Sequence, residues 1–387
     1  MSSKRDPSFP LNKYKAYYLF VVSFLMSVVQ AVTMPVIPYV AYKLGASQFI
    51  IGMIGSIGPL LYCIGTLISG ILSALVIPYR IFLLSLLLYT ITALGYAFLV
   101  HSPIDILLLR IIEGLSWSLL WPPLESTLAD VYSSHERLVS VFSFSWSSGM
   151  ILGSFLSNWS LKCKFSTVFF LSSTVSLFSL IYGLLTWRDI ATTSKAFKYS
   201  INDIKGVMFS DIAWLYPLFY SLPLGIIFTF FPSHAPVWGF NESVIALAIF
   251  IIISSRTFIF ILAEKYMAKR AFSMLLGSLL VSMGLMIYGL IHTSIYMIVF
   301  ASLLVGLGIG LIYASLFHSA ITSSDKLRSI HTALFEFSIG LGYFIGPLIG
   351  GIVAELHLSL PYVIGALAQL TALLPILLRS KAPAISS

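Results

Sequence analysis

The sequence predicts an all-α membrane protein of twelve transmembrane helices, arranged in two pseudo-symmetric bundles of six. Three observations lead to this prediction: the composition, the length of the apolar runs and an internal repeat. Hydrophobic residues make up 58% of the 387 residues and charged residues only 9%, whereas a soluble domain carries roughly 25% charged residues. A chain this poor in charge is expected to cover most of its surface with lipid.

The apolar residues come in runs of about 20, the length that crosses a bilayer as a helix. The spans of the first half are predicted at 16–42, 48–73, 80–100, 104–127, 138–159 and 166–187. Those of the second half are predicted at 212–236, 243–263, 272–292, 295–320, 330–353 and 359–379. The most polar interior stretch, RDIATTSKAFKYSINDIKG, separates the two sets. We therefore expect a first bundle over residues 1–187, a cytoplasmic linker over 188–210 and a second bundle over 211–387.

Lysine and arginine are distributed unevenly between the two sides, and this bias predicts the orientation. With the amino terminus inside, seventeen of the 22 basic residues fall in inner segments. The others are Lys43, Lys162 and Lys164 in outer loops and Arg110 and Arg256 within spans. We expect a multi-pass protein of the cell membrane, embedded in the lipid bilayer with both termini in the cytoplasm. The asymmetry also explains the net charge of +8, so no nucleic-acid partner is expected.

Three pairs of matching segments indicate a duplicated six-helix unit. The pairs are PYVAYKLG (38–45) with PSHAPVWG (232–239), GLSWSLLW (114–121) with GLGIGLIY (306–313), and GMILGSFLSN (149–158) with GYFIGPLIGG (342–351). The offset between partners is nearly constant. A parallel duplication of six helices is an architecture of alternating-access secondary transporters.

These motifs resemble those of the major facilitator superfamily, and the resemblance covers essentially the whole chain. GYFIGPLIGG fits the family's G-x-x-x-G-P-x-x-G-G motif without a mismatch, and RIIEG at 110–114 resembles its fourth-helix Arg-x-x-x-Gly motif. The family's loop motif after the second helix departs at Ala74, which stands where an aspartate belongs. The resemblance implies that helices one, four, seven and ten line a central cavity and that the two halves rock about a midplane site.

Ionisable residues within spans are costly in lipid and are expected to face the bundle interior. Arg110 and Glu113 are three residues apart in the fourth span, so their side chains can meet on one helix face. Either they form a self-satisfied ion pair that anchors the helix, or Arg110 binds a substrate anion while Glu113 exchanges a proton. Arg256 and Glu336, in the eighth and eleventh spans, are predicted to form a second ion pair. Glu336 is also the second candidate for proton coupling.

Polar and aromatic residues at mid-span are the remaining candidates for substrate contact. Together with Arg110, the predicted set is Gln30, Trp117, Trp121, Tyr220 and Tyr313. For Gln30, Tyr220 and Tyr313, a buried polar tip bonded to neighbouring backbone is an equal alternative.

Glycines form a smooth stripe on the eleventh span, where Gly342, Gly346 and Gly350 recur every four residues. Small residues let membrane helices approach closely, and a proline within such a stripe favours a bend. The predicted set for helix packing and gating is Gly149, Gly153, Gly342, Gly346, Pro347, Gly350 and Gly351. We expect the eleventh span to bend and to carry more of the gating motion than the fifth, where Ser154 stands in place of the proline.

The sequence contains no G-x-x-x-x-G-K-[ST] motif, no metal-ligand cluster and no supported serine–histidine–acid arrangement. We therefore expect no catalytic residues, no metal, no cofactor and no enzymatic activity. The predicted function is secondary active transport of a small organic solute by a monomer, as proton-coupled efflux of an amphipathic or aromatic compound. Uptake of an organic anion or sugar is the alternative within transport. A non-transporting membrane sensor or scaffold is the alternative of another class.

Overall fold

The computed structural model describes residues 11–75, 78–131, 135–186, 212–262, 270–291, 293–321 and 328–371. The first half contains α1 (Leu11–Thr33), α2 (Val36–Lys43), α3 (Gln48–Leu75), α4 (Pro78–Leu99), α5 (Pro103–Val131), α6 (His135–Ser160) and α7 (Phe165–Thr186). In the second half a 3₁₀ turn (Ile212–Leu215) precedes α8 (Pro217–His234), α9 (Glu242–Leu262), α10 (Arg270–Leu290), α11 (Ile295–Ile321), α12 (Arg328–Ala354) and α13 (Leu360–Thr371). Each predicted span corresponds to one of these helices, except the first, which corresponds to α1 and α2 together; this confirms the all-α prediction. The last residues of the twelfth predicted span lie outside the described residues, as do the whole predicted linker and both termini.

Eight helical stretches within those ranges are long and apolar enough to cross a membrane, the first being Tyr17–Lys43 and the last Leu334–Ala354. Large side chains that remain exposed, such as Phe98, Phe155 and Phe178, are apolar. This is the surface expected of a multi-pass membrane protein, because lipid rather than water surrounds it.

The first span is divided into two helices at Met34 and Pro35. Pro35 precedes α2 as its N-cap residue, and a proline has no backbone N–H with which to continue the hydrogen-bond pattern of α1. The second piece, α2, packs against α8 of the second half. The break therefore brings the carboxyl end of the first span to the boundary between the two halves.

Helix packing follows the same pattern in both halves. In the first half α1 packs on α6, α3 on α5, and α4 on both α5 and α7. The equivalent pairs of the second half are α8 with α12, α9 with α11, and α10 with α11 and α13. Between the halves, α3 packs along α12 and α6 packs on α9. The repeat seen in the sequence thus has a counterpart in the helix pairing.

Glycines lie at the closest backbone contacts within each half. A Cβ atom built on Gly149 would stand 2.4 Å from a carbonyl oxygen of α1, and one on Gly153 would stand 2.5 Å from another. On α12, a Cβ on Gly342 or Gly346 would stand 2.5 or 2.6 Å from carbonyl oxygens of α8. Such distances leave no room for a side chain, so these pairs of helices meet backbone to backbone.

A further glycine contact joins the two halves. A Cβ atom on Gly52 of α3 would lie 2.6 Å from both the Cα atom of Gly351 and the carbonyl oxygen of Pro347 on α12. Gly350, the next residue to Gly351, instead faces the ring of Phe230 on α8. The glycines of α12 therefore serve two surfaces, one against α8 and one against α3. The bend and the gating motion proposed for this span remain predictions.

Candidate functional site

Arg110 and Glu113 form a hydrogen-bonded ion pair inside the first half. Their Nη1 and Oε2 atoms are 2.8 Å apart, and Glu113 is only 3% exposed. Tyr96 donates a 2.7 Å hydrogen bond to Glu113 Oε2, and the indole N–H of Trp117 donates to Oε1 at 3.3 Å. Arg110 Nε also donates to the carbonyl oxygen of Ile54 at 3.1 Å. Three donors therefore satisfy the Glu113 carboxylate without any contribution from a solute.

The guanidinium of Arg110 lies in a notch of α3 that Gly58 provides. A Cβ atom on Gly58 would come within 2.8 Å of Arg110 Nη2. Gly114 lets α5 pack closely against α3 at the same place. A Cβ atom built on Gly114 would stand 2.3 Å from the Gly58 carbonyl oxygen, so a side chain does not fit there. This fitted environment favours the anchoring alternative for the pair over the substrate-binding one.

One face of α5 continues from this pair toward the predicted inner end. Trp117 and Trp121 stack with their ring centroids 6.2 Å apart and their planes 10° from parallel. Tyr89 packs against Trp117 at 5.0 Å. Glu125 follows four residues after Trp121, so it lies on the same face of the helix.

Glu125 and Glu336 come from opposite halves, and each lies within electrostatic range of the other. Glu125 lies on α5 and Glu336 on α12, and the charges of the two carboxylates interact. Tyr62 of α3 donates a 3.1 Å hydrogen bond to Glu336 Oε2. Both carboxylates also act electrostatically on Tyr62 and on Tyr313 of α11. A group of polar residues contributed by both halves is thus assembled here.

Arg256 enters the same region from α9 and is only 2% exposed. Its Nη1 donates to the hydroxyl of Tyr220 on α8 at 3.2 Å, and its guanidinium carbon stands 5.0 Å from the ring centroid of Trp146 on α6. Ion pairs within 4.0 Å among the described residues are Arg110–Glu113 and Lys43–Glu242. The predicted pairing of Arg256 with Glu336 is not among them. Instead, each of those two residues binds a tyrosine, and the charges of both act on Tyr220.

Aromatic rings surround these charges. The rings of Tyr220 and Tyr313 lie 4.9 Å apart between centroids, and Phe335 packs on Tyr313 at 5.7 Å. We define the central cluster as Tyr62, Glu125, Trp146, Tyr220, Arg256, Tyr313 and Glu336.

The remaining predicted site residues lie outside the central cluster. Trp117 and Trp121 lie on α5 between Glu113 and Glu125, and Arg110 lies within the first ion pair. Gln30 is partly buried on α1, with no side-chain hydrogen bond to another residue in the described ranges. Glu125 and Tyr62 were not predicted. The regular spacing Glu113, Trp117, Trp121 points to Glu125, whereas nothing in the sequence distinguishes Tyr62.

Polar contacts also join the halves at the predicted outer end. Tyr39 of α2 donates a hydrogen bond to the carboxylate of Glu242 at the start of α9. Lys43 Nζ lies 3.7 Å from Glu242 Oε1 and 4.4 Å from the ring centroid of Tyr39.

His234, at the end of α8, completes this set of contacts. Its Nε2 donates to Gln48 Oε1 of α3 at 2.9 Å, which leaves Nδ1 to accept from the Tyr362 hydroxyl at 3.3 Å. Nearby, the backbone N–H of Phe49 donates to Glu355 Oε1 at 2.8 Å. We call these contacts the end latch; its members are Tyr39, Lys43, Gln48, Phe49, His234, Glu242 and Glu355.

No group of three or more histidine, cysteine, aspartate or glutamate residues in the described ranges is placed to hold an ion. The two cysteines, Cys63 and Cys163, are free thiols.

Two related helical halves with charged residues between them define the class of membrane transporters that work by alternating access. The chain belongs to the Major Facilitator Superfamily, whose family model matches residues 19–329. This membership identifies a transporter rather than an enzyme, and transporters of this family carry small-molecule solutes.

Solved structures of transporters share the fold. The nucleoside transporter NupG aligns with a TM-score of 0.78 at 13% identity, over 97% of this chain and 100% of that one. A bacterial homolog of the human lysosomal transporter Spinster, in an inward-facing and occupied conformation, aligns at 0.71 with 13% identity over 96% of both chains. The human organic anion transporter MFSD10 aligns at 0.70 with 14% identity, over 95% of this chain and 100% of that one. A comparison with curated protein sequences gives no match.

Proposed function

We propose that the protein is a secondary active transporter that exports a small amphipathic or aromatic solute in exchange for protons. One observation carries this proposal: the central cluster draws its side chains from both halves, with Tyr62 of the first half donating a hydrogen bond to Glu336 of the second. In alternating access the two halves rock around a fixed site. A site built from both halves is therefore remodelled each time they move.

Glu336 is the residue proposed to couple a proton to that movement. Its carboxylate accepts the hydrogen bond that Tyr62 donates from the opposite half. Protonation removes the negative charge that strengthens this hydrogen bond and ends the repulsion between Glu336 and Glu125. The protonation state of Glu336 thus biases how tightly the two halves associate.

The end latch supports the same cycle from the other end of the bundle. Glu336 lies 19 residues before Glu355, a separation of about 28 Å along a helix. Each latch contact is a single hydrogen bond or an exposed ion pair, with a net contribution of about 1 kcal/mol. Contacts of this size break and re-form readily, so the latch is compatible with repeated opening and closing.

Uptake of an organic anion through Arg110 receives less support. The guanidinium of Arg110 is already bonded to Glu113 and to the Ile54 carbonyl group. Binding an anion there requires breaking both interactions within the first half. The pair is better explained as an internal anchor of α5.

The test is flux through the purified protein in proteoliposomes. A thermal-shift screen of a solute library first identifies ligands, because a ligand that binds the folded state raises its unfolding temperature. We expect a bound solute to be driven across the membrane by an imposed pH gradient in the wild type. Glu336→Gln is expected to bind the same solute but lose the dependence on the gradient, while Glu242→Gln in the end latch retains it.

Undiminished gradient-driven flux in Glu336→Gln would contradict proton coupling at this residue. No substrate-dependent flux of any ligand across the panel, with protein that still binds and unfolds cooperatively, would favour the sensor or scaffold alternative.

A further inference from the structure

His234 joins the two halves at the predicted outer end, and its side chain is of the type that takes up protons near neutral pH. We propose that His234 binds a proton from the outer side and that this protonation opens the end latch. The inference rests on the proposed function, in which protons enter the cycle from the outer side, and it names the residue that receives them first.

The first argument concerns the hydrogen bonds of the imidazole. His234 is fully buried, with 0% of its surface exposed. Its Nε2 donates to Gln48 Oε1 of the first half at 2.9 Å, and its Nδ1 accepts from the Tyr362 hydroxyl of the second half at 3.3 Å. A ring with one donor and one acceptor nitrogen is the neutral imidazole. The closed latch is therefore built around an uncharged histidine.

The second argument concerns the rings around this imidazole. Its centroid lies 5.4 Å from that of Phe230, 5.5 Å from that of Trp238 and 5.8 Å from that of Tyr362. A positive charge away from water is costly, because neutral side chains replace the solvation that it would have outside. Protonation therefore favours an arrangement in which the halves have moved apart and water reaches His234.

The third argument concerns the path of the proton. A cavity of about 440 Å³ lies at this end and is lined in part by Gln48 and Trp238, both of which contact His234. Glu355 and His357 also line it, and both are exposed, so the cavity is open to the medium. The side chains that separate the imidazole from this cavity are its own contact partners.

The fourth argument comes from the internal repeat. Gln48 and Glu242 occupy equivalent positions at the starts of α3 and α9, at the offset that relates PYVAYKLG to PSHAPVWG. Each contacts the end of the first span of the opposite half, where Glu242 meets Tyr39 and Lys43 and Gln48 meets His234. The carboxylate at one position balances a cation. The neutral amide at the other position suits an uncharged imidazole and offers no charge to a protonated one.

The titratable groups at this end differ in the pH at which their charge changes. Tyrosine and lysine keep their protons near neutral pH, and a glutamate in water has a pKa of about 4.3. Histidine, with a pKa of about 6.5 in water, is the type that changes charge between about pH 5.5 and about pH 7.5. The described groups on the elements around His234 are Tyr362 on α13, Tyr288 on α10, Tyr39 and Lys43 on α2, Glu242 on α9, and Glu355 and His357 after α12.

The experiment measures the distance between the halves at the outer end as the pH changes. Spin labels are attached at Lys162→Cys and Thr293→Cys, two exposed positions in loops of opposite halves, in a background with Cys63 and Cys163 changed to serine. Pulsed electron paramagnetic resonance gives the ratio of open to closed molecules. Because the imidazole reaches water only in the open form, this ratio is expected to rise about tenfold from about pH 7.5 to about pH 5.5.

Variants assign the response to His234. His234→Gln keeps a donor toward Gln48 and an acceptor toward Tyr362 but binds no proton, so its open fraction is expected not to change with pH. Gln48→Glu places a counter-charge beside Nε2, so a protonated His234 stays in the closed latch and the rise is expected to be below about twofold. His357→Gln in the same cavity and Glu336→Gln in the central cluster are both expected to keep the tenfold response.

Three results would overturn the proposal. The distances in the parent protein do not change with pH, a folded His234→Gln or Gln48→Glu protein responds like the parent, or the response disappears in His357→Gln or Glu336→Gln. The proposed transport function stands in each case if gradient-driven flux is present in the wild type and lost in Glu336→Gln. A latch that opens with acid in a protein that carries no solute would instead contradict the transport function and not the proton site.

Discussion

Tyr62 and Glu336 belong to opposite halves of the chain, and the tyrosine hydroxyl donates a 3.1 Å hydrogen bond to Oε2 of the carboxylate. Tyr96 makes the equivalent bond to Glu113, at 2.7 Å, within the first half alone. The two tyrosines therefore offer a matched comparison. One links the moving parts of the proposed transporter, and the other stabilises a single part.

Replacing either tyrosine by phenylalanine tests this difference. Tyr96→Phe is expected to lower the unfolding temperature, because losing a hydrogen bond to a buried charged group costs about 1–3 kcal/mol, and to leave flux close to wild type. Tyr62→Phe is expected to change the flux of a bound solute severalfold with a smaller change in unfolding temperature. Thermal unfolding and proteoliposome flux measure the two effects. A severalfold change of flux in Tyr96→Phe, together with a large loss of stability and unchanged flux in Tyr62→Phe, would contradict this distinction.

The Arg110–Glu113 pair is predicted to act as an anchor. Glu113→Gln leaves the partly buried Arg110 without its counter-charge, and the expected cost is on the order of 3 kcal/mol. The double variant Arg110→Met, Glu113→Gln removes both charges and is expected to be more stable than the single one. Thermal unfolding of the three proteins in the same detergent measures this. A Glu113→Gln protein with wild-type stability and no proton-coupled flux would instead favour a direct role for Glu113 in coupling.

We predict that the close packing of Gly52 against α12 keeps the two halves together at the outer end of the bundle. Gly52→Ala places a methyl group 2.6 Å from backbone atoms of Gly351 and Pro347, so the halves must separate there. Thr229→Cys is a reporter of this separation, since a Cβ atom built on Gly55 of α3 would stand 2.3 Å from Thr229 Oγ1 on α8. In a background with both native cysteines changed to serine, maleimide labelling of the reporter is expected to be severalfold faster in Gly52→Ala.

The control for that experiment is Gly149→Ala. Its methyl group would stand 2.4 Å from a carbonyl oxygen of α1, so it strains a contact within the first half. We expect a lower unfolding temperature and an unchanged labelling rate. Equal labelling of the reporter in Gly52→Ala and in the parent protein would show that this contact does not control the end of the bundle.

Much of the fold follows from the sequence because a membrane span has few structural options. A run of about 20 apolar residues must satisfy its backbone hydrogen bonds internally, so it forms a helix. The break at Pro35 was not predicted, although proline has a local effect, because prolines are also tolerated within spans of this chain such as α3 at Pro59. Whether a proline divides a span depends on what packs around it, and here α2 packs against α8.

The site was only partly predictable for a different reason. Arg256, Glu336, Tyr220 and Tyr313 were recognised as embedded polar groups, and all four lie in the central cluster. Their partners depend on the rotation and depth of each helix relative to the other half, which residue types do not encode. Arg256 thus binds Tyr220 rather than Glu336. Glu125 was missed because it follows two prolines near the end of its span, where a charged residue normally faces water.

The proposed proton exchange takes place at Glu336, and the groups around this carboxylate can be named. Besides Glu125, the titratable and charged groups of the described chain that face Glu336 are Tyr62 on α3, Tyr220 on α8, Arg256 on α9, Tyr313 on α11 and Tyr343 on α12. Tyrosine and arginine keep their protons near neutral pH. Among these described groups, the glutamates are therefore the expected source of a proton released on solute binding.

The most direct measurement is proton release on ligand binding, followed with a pH indicator in weakly buffered solution as a bound solute is added to the purified protein. We expect the wild type to release about one proton for each solute bound, and Glu336→Gln to release none while still binding. Saturable binding to the wild type without any proton release would contradict proton exchange at Glu336.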